Sequence, residues 1–233
     1  MASVRNLLGI GYFPKELPRP FRTVTLAALL TDSSINKPTA FINGKRSAKM
    51  CCHNLARPGS LRRKLGIPNP VLHYNLCFDI ESHWSDISTH IRKSTLSSSK
   101  PSVQDGSQRA LASSVPKSHL PLERASIRST SRFILKTDIS RFYPSIYSHS
   151  VPWALHTKPV AKQHRNVSST YYGNSIDRWV RNAQDGQTLG VPIGPDTSWV
   201  IAEIILAEVD AALMSIAVLN GIGGRSRSVH TSL

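Results

Sequence analysis

The chain has 233 residues, 40% hydrophobic and 7% aromatic, enough to bury one sizeable core or two small ones. That composition excludes a disordered polar chain, and no apolar run reaches the ~20 residues needed to span a bilayer. Lys and Arg number 29 against 14 acids, giving a net charge of +15 and a pI near 10.2. A surplus of this size favours a polyanionic partner, because each phosphate neutralised releases condensed counterions. The blander reading is a solvated basic surface. The imbalance is steepest over residues 1–66, where Glu16 and Asp32 face twelve Lys and Arg. The first residues lack the apolar stretch and small-residue cleavage site of a secretion signal. Cys51, Cys52 and Cys77 form neither an even disulfide framework nor CxxC spacing, so a reducing cytoplasm is the expected location. Asn166-Val167-Ser168 matches a glycosylation sequon by chance on that view.

In chain order, residues 1–50 are punctuated by proline ("YFPKELPRPF") and then polar, which predicts irregular structure with one helix. Residues 57–70, "RPGSLRRKLGIPNP", read as a basic turn in which Arg57, Arg62, Arg63 and Lys64 lead into Leu65-Gly66-Ile67. Such a hairpin suits a triphosphate, since guanidinium forks match phosphate oxygens, or it is a solvated charge run. Beyond "IPNP", Cys77, Ile80, Trp84, Ile87 and Ile91 recur at spacings of three and four and predict a helix with a buried stripe. Residues 95–130 are rich in Ser and Pro and predict a long loop or mobile insertion. In "RFILKTDIS" the alternation from Phe133 to Ile139 predicts a strand, with Asp138 at its C-terminal end and Phe142, Tyr143 and Pro144 following. An isolated Asp there caps a turn more often than it binds a ligand. Residues 185–213 begin glycine-rich through "GVPIG", offer Asp196, Thr197 and Ser198 as N-caps, and continue as an apolar helix. A tight loop before a core helix explains the glycines, as does close approach of backbone to a ligand.

The stretches "DISRFYPSIY…HS…WALH" and "GQTLGVPIGPDTS", with the basic hairpin before them, resemble the reverse transcriptases, nearest to their bacterial abortive-infection and defence branch. The resemblance runs from "GYFPKELPRPF" to about Leu219 and implies an α+β fold. It implies largely helical fingers over 1–130, including the Ser/Pro-rich insertion at 95–130, then a partial palm with an incomplete antiparallel sheet over 131–219, and an atypical tail at 220–233. The implied function is RNA-directed DNA polymerisation, with deoxynucleoside triphosphates and RNA or DNA as partners and no membrane. In that likeness Arg63 and Lys64 contact the triphosphate and Arg57 and Arg62 the nucleic acid. Asp138 is the catalytic carboxylate, and with the Ile139 carbonyl it holds two Mg2+ ions. Tyr143 screens the sugar 2′ position, Pro192 and Gly194 line the nucleotide, and Val191 and Ile193 support the template. Ile193 departs from the Gln common at that position.

Two-metal transfer needs ions ~3.5–4 Å apart, which one aspartate bridges but does not hold unaided. The family's other carboxylates come from a Y/F-x-D-D hairpin, and no Asp-Asp pair occurs in these 233 residues. After "GVPIG" the acids are Asp196, Glu203, Glu208 and Asp210, all on or at the head of one predicted helix. The tail "NGIGGRSRSVHTSL" has no strand period and reads as the product of a frameshift or early stop. The alternative function is a catalytically inactive nucleic-acid-binding remnant or scaffold.

Overall fold

The structure is a computed structural model that describes residues 2–18, 21–32, 46–56, 58, 61–104, 106–116, 118–129, 132–134, 137–165 and 170–219. It mixes helices with two small antiparallel hairpins, an α+β composition. Two short helices open the chain, α1 (Val4–Gly9) and α2 (Val24–Thr31), and the first hairpin pairs β1 (Cys51–Ala56) with β2 (Arg62–Ile67). The proline stop at 68–70 then becomes a helix start. Pro70 fills the first turn of α3 (Pro70–Ser82), and the Asn69 side chain accepts from the Val71 and Leu72 N–H groups at 3.0 and 3.3 Å. The predicted apolar stripe is buried at Cys77, Ile80, Ile87 and Ile91. It spans two helices rather than one, because the backbone leaves helical geometry at His83 before α4 (Trp84–Arg92).

Residues 95–130 are not the long loop their composition predicts. They carry β3 (Pro101–Ser102) paired with β4 (Ala112–Ser113) and then α5 (Leu120–Ser129). Ser94, Ser97, Ser98 and Ser99 are buried, and the hydroxyls of the first three turn toward carboxylates. Ser97 donates to Glu203 at 3.1 Å, Ser98 to Glu123 at 3.1 Å, and Ser94 to Asp210.

The strand predicted from Phe133 to Ile139 is a second correction. Its described residues pair with nothing, and Phe133, Ile134 and Ile139 are 83%, 60% and 50% exposed. An alternating segment becomes a strand only beside a partner that takes up its backbone hydrogen bonds, and the described sheets offer none. The incomplete palm sheet is therefore absent among the described residues, and Asp138 sits in exposed coil rather than at a strand end. The chain continues through α6 (Phe142–Ser145), α7 (Ser150–His156), α8 (Lys158–Gln163), α9 (Gly173–Asn182) and α10 (Asp196–Leu219). The core lies where α3, α9 and α7 pack in succession, with α1 against α3 and α10 against α7 and α4. Among the described residues no helix is long and apolar enough to cross a membrane. Residues 220–233 lie outside the described residues.

Candidate functional site

Three stretches distant in sequence meet through main-chain hydrogen bonds. On β2 the pleat alternates only in part: Arg62 and Lys64 are exposed, Arg63 is half-buried, and Leu65 and Gly66 are buried. Gly66 donates its N–H to the Ile193 carbonyl at 2.9 Å, which ties the hairpin to the "GVPIG" loop. A Cβ at Gly66 would lie 2.8 Å from the Met50 sulfur and 3.1 Å from Pro192 Cβ, so a side chain there would make Met50 and Pro192 shift. From the other side, Val191 donates to the Tyr143 carbonyl at 2.9 Å and Gly190 to the Ile146 carbonyl at 2.7 Å. The turn that leads into α6 starts at Arg141, whose φ of 50° is left-handed. Gly194, at φ +138°, lies against Pro14, where any side chain would collide with the ring.

The loop closes one side of a cleft of about 180 Å³ lined by Lys15, Glu16, Arg109, Tyr143, Gly194 and Trp199 among others. Its charges are arranged in pairs. Arg63 Nη1 lies 3.6 Å from the Glu16 carboxylate. Arg109 is the centre of the second arrangement: Nε donates to Asp196 at 3.0 Å, Nη1 to the Phe13 carbonyl at 2.7 Å, and Nη2 to the Gly194 carbonyl at 3.2 Å. Asp196 also accepts from the Leu111 N–H at 3.2 Å, while its own N–H donates to Gly11. Burial pushes the Asp196 carboxyl above its usual range, and the Arg109 guanidinium pulls it back. Burial likewise pushes the Tyr143 phenol well above its ordinary value, with Glu203 adding to the shift and Arg63 opposing it. Tyr143 is therefore a neutral hydroxyl at every physiological pH, able to donate or to accept.

No protein-family model matches this chain, and no curated protein matches it significantly.

Of the residues singled out in the sequence, Arg63, Tyr143, Val191, Pro192, Ile193 and Gly194 converge around the loop, and Arg62 and Lys64 flank it on the exposed faces of β2. Arg57 lies outside the described residues. Asp138 and Ile139 are exposed, and among the described residues no group of three or more His, Cys, Asp or Glu is gathered for a metal. A two-ion site needs more oxygen ligands than one carboxylate and one carbonyl provide, so the described residues do not fit a pair of Mg2+ ions. Sequence reasoning missed Arg109 and Lys15. Arg109 lies in a stretch whose composition reads as loop, and the one signal for it is the apolar Ala110-Leu111 that follows. Lys15 sits between prolines with no periodicity to mark it.

Proposed function

We propose that this chain is a reverse-transcriptase-type protein whose β2 hairpin, Tyr143 turn and "GVPIG" loop together hold nucleic acid and a deoxynucleoside triphosphate. The observation that carries this reading is the main-chain stitching of those three stretches, Gly66 to Ile193 and Val191 to Tyr143, into one unit. Arg62 and Lys64 on the exposed face of β2 supply cations beside the "GVPIG" loop, and such groups suit phosphate oxygens. The net charge of +15 supports a polyanionic partner. Tyr143 lines the cleft five residues after Asp138, where a bulky ring would discriminate against a 2′ hydroxyl.

A second reading, nucleic-acid binding without catalysis, is favoured by a specific observation: exposed Asp138 is not joined by other metal-ligating side chains among the described residues. Two measurements separate the outcomes. Replacing Arg62, Arg63 and Lys64 together by Ala should weaken primer–template binding and flatten the slope of log K against log salt by about 2. An unchanged slope would remove the hairpin from the interface. Primer extension with Mg2+ and four dNTPs, lost in Asp138→Asn, supports the polymerase reading; binding without any extension supports the scaffold.

A further inference from the structure

The surface beyond the Tyr143 turn has a chemistry of its own. From Ile139 to Ile176 the sequence holds no Asp or Glu, but four Lys and Arg and three His. Within it, rings are arranged in a ladder. Tyr147 meets His149 edge-on at 4.9 Å between centroids and Trp153 at 5.6 Å, and the Lys158 ammonium lies 4.7 Å above the Trp153 ring. Tyr147 is 41% exposed, and Leu189, bridged to it backbone to backbone, is 63% exposed. Both are held by the loop behind them, since Ser148 donates to the Thr188 carbonyl at 2.8 Å. Lys158, Lys162 and Arg165 are exposed on and just after α8. Asp177 is buried and engaged by His149 at 2.7 Å and by Arg181 at 3.2 Å.

We propose that the Tyr147 face is a stacking platform for bases of single-stranded nucleic acid, with Lys158 as its phosphate contact. An exposed ring beside the Lys158, Lys162 and Arg165 cations fits a strand that offers flat bases and an anionic backbone at once. A purely apolar partner would not need the cations, and a duplex keeps its bases stacked on each other rather than on a protein ring. The platform is separate from the β2 hairpin and does not depend on polymerase chemistry.

The test uses the full chain with a labelled oligothymidylate and a hairpin duplex of equal length. Tyr147→Ala should weaken single-strand binding at least roughly fivefold, with the salt slope unchanged and duplex binding unaltered. Tyr147→Leu, which keeps an apolar side chain but loses the ring, should show the same loss, whereas Tyr147→Trp should retain binding. Lys158→Ala should instead lower the salt slope by about 0.7. Single-strand affinity that survives both Tyr147→Ala and Tyr147→Leu overturns the proposal, as does an equal loss on single strand and duplex. Combined with the Arg62, Arg63 and Lys64 variant, the results stay distinguishable. Loss only in the hairpin variant refutes the platform and leaves the cleft reading; loss only in the Tyr147 variants refutes the hairpin's role and leaves the platform.

Discussion

At the scale of single residues, Asp196 shows how the cleft sets its own stability. Its carboxylate leaves water at the head of α10, where a negative charge suits the helix N-terminus, and Arg109 neutralises it. Because its folded-state value is raised above the unfolded one, the folded chain holds that proton more tightly. The ionised form therefore costs stability above the raised value, and the cost fades as pH falls through it. Arg109→Ala would leave the charge buried without its cation, which should cost about 3 kcal/mol near neutral pH. In mild acid, with Asp196 protonated, the loss should shrink. Urea unfolding under both conditions checks this; a loss that acidification leaves untouched would assign Arg109 a packing role instead.

At the scale of elements, α10 is held by a segment that composition assigns to solvent. Ser97 reaches Glu203, Trp199 Nε1 approaches the same carboxylate at 3.4 Å, and Ser94 reaches Asp210. Ser97→Ala should cost about 1–3 kcal/mol by removing a hydrogen bond to a buried charge. Ser85→Ala, on the exposed side of α4, should stay within about 0.5 kcal/mol. Urea midpoints of the two variants provide the comparison. The same segment shows what a sequence can and cannot reveal. The α3–α4 stripe and the apolar run of α10 were legible because helix periodicity is local, carried by residues three or four apart, whereas the expected cap Asp196 lies inside the first turn and bonds Arg109 and the Leu111 N–H instead. The serine segment was not, because serine looks polar until a carboxylate more than a hundred residues away turns up beside it. Phe133 to Ile139 misled for a related reason: alternation is local, but the partner that makes a strand is not. The cleft was half legible. Tyr143 and "GVPIG" stood out as patterns, while Arg109 acquires its role only from where β4 and α10 bring it.

At the scale of the whole molecule, a net charge of +15 repels itself, and the compact state bears that repulsion at closer range than the unfolded chain. Raising ionic strength from very low values toward ~0.1 M, where the screening length falls to about 10 Å, should raise the thermal midpoint. A single-stranded oligonucleotide added at low salt should raise it further by binding the folded state. Scanning calorimetry across a salt series reads both effects. A midpoint that falls with added salt would mean that ion pairs such as Lys93–Glu208 outweigh the surplus of like charge.

The bond from Gly66 to Ile193 involves no side chain, and neither does the β1–β2 ladder beside it. The frame of the hairpin is therefore indifferent to the identity of Arg62 and Lys64, which stand in solvent on the outer face of β2. These two positions form an exchangeable cassette. Glutamates placed there would keep their address beside the loop while reversing the message, converting an anion-attracting rim into an anion-repelling one. The charge at this edge can thus be rewritten without redesigning the scaffold that displays it.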